Sequence, residues 1–222
     1  MSKAPSNDRE VISELTTGRL SVYLRCLTFL ESQGQKTVSS HDLADRFHLN
    51  SAQIRKDLAC FGEFGTRGVG YDVSRLKTQL VETLGIDRTR NIVIVGAGNL
   101  GMALADYAGF NSNGFHLVAM LDSDPAKIGR ASRSGIPILS WDRASDVVRR
   151  NHVDIGIVAV PADGAQAVHD ALAEAGINAI LNFAPVQIKL RPGVKVRSVD
   201  LRINLESLSF HLKNAEDGVN MG

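Results

Sequence analysis

The chain has 222 residues, with 25 Lys+Arg against 24 Asp+Glu and a formal net charge of +1. Global charge therefore points to neither a histone-like binder nor an acidic tail, and any nucleic-acid surface must be local. No apolar stretch approaches the ~20 residues that span a bilayer, and no signal-peptide pattern opens the chain, so a cytoplasmic protein with no membrane partner is expected.

Residues 1 to about 17 are polar without sustained periodicity and read as an arm. Leu20, Tyr23, Leu24, Leu27 and Leu30 then recur at helical spacing, which predicts an amphipathic helix ending before Gly34. Ser39-Ser40-His41-Asp42 offers a capping box for a short second helix with Leu43, Ala44 and Phe47 on its apolar face. After the turn His48-Leu49-Asn50, a third helix begins at Ser51, with Ile54, Leu58 and Phe61 inward and Ser51, Gln53, Arg55 and Lys56 on the other face. Closely spaced glycines among β-prone residues from Gly62 to Tyr71 predict a two-stranded hairpin, placed where the wing of a winged helix-turn-helix sits. A fourth helix, carrying Val73, Leu76, Leu80 and Leu84, stops at Gly85.

From Asn91 the texture changes to short apolar runs alternating with helical patterns, the signature of parallel βαβ units. The runs are 92–95, 116–121, 136–139, 154–160 and 179–182, with crossover helices at 100–110, 141–150 and 166–175. Cys26 and Cys60 lie in apolar helical patterns without CxxC spacing or a histidine cluster; both are expected as small buried hydrophobes, and no metal site is expected.

Gly96-Ala97-Gly98-Asn99-Leu100-Gly101 is a GxGxxG that follows an apolar strand and opens a helix, the context in which the motif has mechanical meaning. The first glycine turns the chain, the second lets backbone approach a pyrophosphate, and the third lets helix and strand pack closely. About twenty residues on, Asp122 ends the second strand, where a carboxylate accepts hydrogen bonds from the adenosine ribose hydroxyls. Ser123 and Asp124 follow rather than an arginine, which favours NAD(H) over NADP(H). Coenzyme A is a rival ligand for such a domain, and Asp122 argues against its 3′-phosphate. Val160-Pro161 and Asn182 to Pro185 end later strands and complete the cofactor side, the latter at the nicotinamide end.

An oxidoreductase would need an acid/base or nucleophile near the nicotinamide. The cysteines lie outside the nucleotide region, and His116, His152, His169 and His211 make no catalytic pair, so no catalytic residue is expected. The alternative of an NAD-dependent oxidoreductase with a helical accessory domain stays open at this point. A short strand at 195–199 precedes a last helix with Leu201, Leu205, Leu208 and Leu212 in one stripe and Ile203 and Phe210 off it. It is apolar around much of its circumference, and a partner chain is the simplest cover. The fold expected is α/β: a winged helix-turn-helix domain over 18–86, a Rossmann-like doubly wound parallel sheet over 90–200, and a C-terminal dimerisation helix over 201–213.

The run Gln53-Ile54-Arg55-Lys56-Asp57-Leu58 followed by Phe61-Gly62 and Gly65-Thr66-Arg67-Gly68-Val69-Gly70-Tyr71 resembles the Rex family of NADH-responsive repressors. Ala105-Asp106-Tyr107, Leu181 to Val186 and Leu208-Ser209-Phe210 add to the likeness, which spans about Gly18 to Leu212. The resemblance implies a homodimer with exchanged C-terminal helices, bound to operator DNA with NAD⁺ and released by NADH. It further implies that Tyr107 borders the cofactor and that Tyr107 and Asp200 couple nicotinamide redox state to the DNA-binding domain, with Arg25 as an alternative partner of Asp200. On this reading Arg55 and Lys56 face the major groove, with Ser51 and Gln53 beside them. Thr66, Arg67 and Gly68 form a wing suited to a narrow minor groove, and Arg19 adds a phosphate contact.

Overall fold

A computed structural model describes residues 14–62, 64–66, 70–111 and 114–219. The chain divides into two compact units, one up to Arg88 and one from Thr89.

In the first unit, α1 (Glu14–Ser32) buries Leu20, Tyr23, Cys26, Leu27 and Leu30 at helical spacing. It starts four residues before the expected 18, because the turn from Glu14 to Thr17 carries no apolar period that would betray it. β1 (Thr37–Val38) is a two-residue strand that the sequence reading missed. α2 (Ser40–Phe47) opens on the expected capping box: Ser39 Oγ accepts from the Asp42 N–H at 3.0 Å, and Asp42 accepts from the Ser39 N–H at 3.4 Å. His48 ends that helix in the left-handed region at φ 54°, and Asn50 caps α3 (Ser51–Ala59) by accepting from the Gln53 N–H at 2.9 Å. The hairpin is β2 (Gly65–Thr66) against β3 (Gly70–Asp72), and β3 also pairs with β1, giving an antiparallel order β1-β3-β2. Gly70 sits at φ +92°, and a Cβ there would lie 2.6 Å from the Val38 carbonyl oxygen, so strands β1 and β3 can meet only at glycine. Asp72 caps α4 (Val73–Thr83), whose Val73, Leu76 and Leu80 close the core against α1.

The second unit carries β4 (Arg90–Val95), α5 (Asn99–Ala105), β5 (Phe115–Asp122), β6 (Ile138–Ser140), α6 (Ala144–Arg150), β7 (Val153–Val158), α7 (Ala162–Glu174), β8 (Ala179–Asn182) and β9 (Lys195–Ser198). The six strands are parallel in the order β6-β5-β4-β7-β8-β9. Counted within the sheet this is 3-2-1-4-5-6, the doubly wound order whose winding reverses between β4 and β7. Ile92, Val93, Ile94 and Val95 are all buried because both faces are covered: Val93 and Val95 pack with Val147, Val148 and Leu172, while Ile92 and Ile94 pack with Met120 and Ala105.

Two expectations need correction. The helix expected over 100–110 breaks at Asp106-Tyr107 into α5 and a 3-10 turn, Ala108–Asn111. Cys60 is exposed, not buried: it is the C-terminal cap of α3, two residues beyond the buried Leu58 and turned away from that side, while Cys26 is buried in α1. α8 (Leu201–Val219) follows β9, and its Leu201, Ile203, Leu205, Leu208, Phe210 and Leu212 are 60–66% exposed within the chain. Among the described residues no helix is long and apolar enough to cross a membrane, and no group of three or more His, Cys, Asp or Glu side chains is placed to hold a metal.

Candidate functional site

The glycine loop lies at the C-terminal end of β4, where the winding reverses. Gly96 has φ +104°, and a Cβ on it would lie 2.4 Å from the Ala159 carbonyl oxygen and 3.1 Å from Val160. Val160-Pro161 therefore stands directly across the crevice, and Pro161 opens α7. A Cβ on Gly101 would fall 1.8 Å from the Gly96 carbonyl oxygen, so α5 can approach β4 this closely only with glycine there. Gly98 is different: a Cβ on it would meet nothing within 4 Å. Packing does not require that glycine; the open space beside it, next to the N–H groups of Asn99, Leu100 and Gly101 that have no intrahelical acceptor, suits a pyrophosphate.

Asp122, 9% exposed at the end of β5, accepts from the Ala97 N–H at 2.6 Å, the Asp124 N–H at 2.8 Å and Lys127 Nζ at 3.2 Å. Burial pushes its carboxyl up, but the Asp124 and Ala97 amides and the Lys127 ammonium outweigh burial and hold it below the usual carboxylate range. The carboxylate thus holds the glycine loop to the strand where an adenosine ribose would lie. Asn182 ends β8 fully buried, its amide donating to the carbonyls of Ala184 and Val186 and its oxygen accepting from the Ala184 N–H. It shapes the loop leading to exposed Pro185 and has its own polar atoms occupied there. The strand ends thus bring together Gly96 to Gly101, Asp122, Val160, Pro161 and Asn182.

Tyr107 is not among them. It follows α5 at the end away from the glycine loop, about 10 Å along the helix axis. Its ring is 59% exposed and its hydroxyl has no hydrogen-bond partner among the described residues. The turn beneath it is anchored, since Asp106 accepts from the Ser134 N–H at 2.8 Å and Arg133 Nε at 3.1 Å; the Ser134 amide leads in holding that carboxyl down at about 2. Asp200 precedes α8 and accepts from the Arg202 N–H at 2.8 Å. Tyr107 and Asp200 do not touch within the chain, and Arg25 is exposed on α1.

On the first unit, α3 presents Arg55 and Lys56 to solvent, with Arg55 Nη1 donating to Ser40 Oγ at 3.0 Å; Ser51 is half-buried at its start. Thr66 lies on β2, and Arg67 and Gly68 lie outside the described residues. Arg19 and Gln53, both expected at the DNA face, also bind within the unit. Asp57, 2% exposed, accepts from Arg19 Nε at 2.5 Å and Nη2 at 2.8 Å, from Tyr23 Oη at 2.8 Å and from Gln53 Nε2 at 2.7 Å. The Arg19 guanidinium, opposed by burial and aided by Gln53 and Tyr23, holds the Asp57 carboxyl below the usual range, and burial pushes the Tyr23 phenol up. This cluster ties α1 to α3.

Sequence reasoning passed over Asp57, Tyr23 in its polar role, and Lys127. A signal for the first was present: Asp57 follows Ile54 by three residues, on the buried side of α3, where an isolated carboxylate would be costly without partners.

Residues 11–59 match the family described as putative DNA-binding protein N-terminus, and residues 87–186 match the CoA binding domain. The redox-sensing transcriptional repressor Rex of Carboxydothermus hydrogenoformans is 50% identical over 202 residues, 91% of this chain and 97% of that protein. The crystal structure of RSP in complex with β-NAD⁺ and operator DNA, 37% identical, superposes with a TM-score of 0.88 over 95% of this chain and 97% of that one. RSP in complex with β-NADH, 35% identical, superposes with a TM-score of 0.84 over 96% and 99%. The chain belongs to the Rex family of redox-sensing transcriptional repressors.

Proposed function

We propose that this chain is a homodimeric, cytoplasmic repressor that binds operator DNA through α3 and the wing and leaves it when NADH replaces NAD⁺ at the C-terminal edge of the parallel sheet. The observation that carries the reading is the open glycine loop at the winding reversal, with Asp122 beside it, in the same chain as a helix-turn-helix that exposes Arg55 and Lys56. The two working parts are a DNA-binding domain over 18–86 and a nucleotide domain over 90–200, and α8, through 201–213, dimerises the chain because six large apolar side chains on it lie open.

The nucleotide is NAD(H). RSP, the solved relative, carries β-NAD⁺ or β-NADH, and two carboxylates at the ribose end, Asp122 and Asp124, disfavour the extra phosphate of coenzyme A or NADP(H) although Lys127 offsets part of that charge. Gly96 to Gly101 hold the phosphates, Asp122 the ribose, and Val160, Pro161 and the Asn182 to Pro185 loop border the nicotinamide. The bound nucleotide supplies a ring that is cationic when oxidised and neutral when reduced, and the chain senses this without turning over a substrate. In the DNA interface, Arg55 and Lys56 read the major groove from beside Ser51, and Thr66, Arg67 and Gly68 follow the minor groove. Arg19 and Gln53 serve through Asp57 by fixing the angle at which α3 is presented.

The switch is Tyr107, Asp200 and Arg25. Tyr107 has an unpartnered hydroxyl and Asp200 an exposed carboxylate immediately before the helix that dimerises, so the two meet across protomers in the NADH state, and Asp200 turns to Arg25 in the operator-bound state. A gel-shift titration tests the whole reading. Operator affinity should fall on adding NADH and recover with excess NAD⁺, with no loss of NADH absorbance when carbonyl substrates are added. NADH-independent binding, or steady NADH consumption, would refute it.

A further inference from the structure

We infer that Gly109 is the seat of the Tyr107 ring, and that its missing side chain keeps open the resting position from which Tyr107 is drawn to its switch partner. The inference rests on the reading of Tyr107 as part of the switch.

Gly109 lies in the 3-10 turn Ala108–Asn111, and its φ is not in the left-handed region, so nothing in its backbone calls for glycine. A helical turn would be better served by alanine. The obstacle is the tyrosine: a Cβ on Gly109 would lie 2.3 Å from Tyr107 Cε1, 2.7 Å from Cζ and 3.0 Å from Oη. All three of the nearest atoms belong to this tyrosine, so a side chain at 109 would strike Tyr107 first. Phe110 supplies the wall, its ring edge-on to Tyr107 with centroids 5.4 Å apart and planes at 89°. Phe110 is itself half-buried against the core that contains Ala105 and Leu117, and its N–H donates to the Tyr107 carbonyl at 3.1 Å. The slot is therefore bounded on two sides, by the Gly109 backbone and the Phe110 ring, and open on the third, where the Tyr107 ring is exposed and its hydroxyl has no partner among the described residues.

Tyr107 in this slot has released Asp200; Tyr107 bound to Asp200 has the conformation that NADH favours. A methyl group on residue 109 removes the slot and leaves the other position untouched, because the atoms it strikes are the far end of a side chain that can swing. The equilibrium then shifts toward the engaged state, and the ratio of affinities for a ligand of that state over a ligand of the released state rises by the same factor.

The test uses the full-length chain. The three tyrosines, Tyr23, Tyr71 and Tyr107, are labelled with 3-fluorotyrosine, the Tyr107 resonance is assigned with Tyr107→Phe, and NADH and NAD⁺ are titrated calorimetrically. Gly109→Ala should move the Tyr107 resonance and leave the other two in place. It should raise the ratio of NADH to NAD⁺ affinity by about fivefold, with operator released at correspondingly lower NADH. In a Tyr107→Ala background the same substitution should change nothing further.

A Tyr107 resonance unmoved by Gly109→Ala overturns the seat, whatever the switch does. A ratio that stays the same or falls overturns its proposed effect on the switch, as does an equal effect in the Tyr107→Ala background. Tyr107→Ala alone separates the two readings. If it leaves the NADH to NAD⁺ ratio at the wild-type value, the switch assignment fails; if it changes the ratio while Gly109→Ala does not, only the seat's role falls.

Discussion

Two aspartates are buried among the described residues, one in each unit, and they hold different things. Asp57 is held by side chains: an arginine, a tyrosine and a glutamine from α1 and α3 converge on it. Asp122 is held by backbone: the amides of the glycine loop and of Asp124 donate to it, with Lys127 alongside. The first arrangement locks α1 to α3, the helix proposed to read DNA, and so fixes how that helix is presented. The second locks a loop at the crevice where a nucleotide would compete for the same oxygens. A buried carboxylate in the reading unit is therefore chiefly a matter of stability, and one in the sensing unit chiefly a matter of binding.

Asp57→Ala should have the largest effect. Removing one partner of a buried charged cluster costs about 3–5 kcal/mol of unfolding free energy, near the lower end here because Arg19 is 35% exposed and can reach water. Denaturant unfolding of the full chain measures it, and a loss below about 1 kcal/mol would place Asp57 with ordinary surface residues. The same contact sets an acid limit. The folded carboxyl lies below its unfolded value, so its contribution is fully present above the ordinary carboxylate range and is lost as pH falls through the lowered folded value. The wild-type stability curve should drop across that acid window, and the Asp57→Ala curve should be flatter there.

This contrast also marks where the sequence was legible. Apolar period placed the helices of the first unit and apolar runs the strands of the second, because each reflects burial on a repeating face. The glycine loop was legible because its spacing, preceding strand and following acid are local features. Asp57 was not, since its partners lie up to 38 residues away and only the fold brings Arg19 to it. Arg19 and Gln53 consequently read as free cation and free amide on a DNA face. β1 was invisible for a similar reason: two residues carry no period, and Thr37–Val38 is a strand only because β3 lies beside it. The break after Ala105 lies in a stretch with helical pattern throughout, and it depends on Asp106 reaching the Ser134 amide 28 residues later.

Asp122→Ala should cost less stability than Asp57→Ala and more ligand. Loss of a charged acceptor for the ribose and for the loop amides should weaken NADH binding by about 1.5–3 kcal/mol in calorimetric titration. Folding should also suffer, because the Ala97 and Asp124 amides lose their acceptor, but by a smaller amount than in Asp57→Ala. Equal losses of stability in the two variants would break the contrast. Arg55→Ala tests the reading face without touching Asp57. It should weaken operator binding by about 1–3 kcal/mol and relax base preference locally, while the unfolding midpoint stays within experimental error.

The smallest expected effect is the most specific, because Tyr107 has the opposite design from both aspartates. Its hydroxyl is unpartnered and its ring exposed, so it is free to change partners where Asp57 and Asp122 are not. A carboxylate left near oxidised nicotinamide favours the cationic ring, whereas one engaged by the tyrosine hydroxyl suits the neutral dihydronicotinamide. On the proposed switch, redox state decides whether Asp200 keeps Tyr107 or turns to Arg25. Tyr107→Phe removes only the hydroxyl and leaves the ring on Gly109, so fold and operator binding should be nearly unchanged. The gap between NADH and NAD⁺ binding free energies should narrow by about 0.5–1.5 kcal/mol, the value of one hydrogen bond. Coupling between two ligands is reciprocal, so operator DNA must weaken NADH binding by the same factor that NADH weakens DNA binding, and both factors must shrink together in the variant. Titration of each cofactor with and without labelled operator measures all four affinities. If Tyr107→Phe keeps the wild-type coupling factor, the hydroxyl carries no part of the signal and the exchange of partners at Asp200 must be driven from the nucleotide crevice alone.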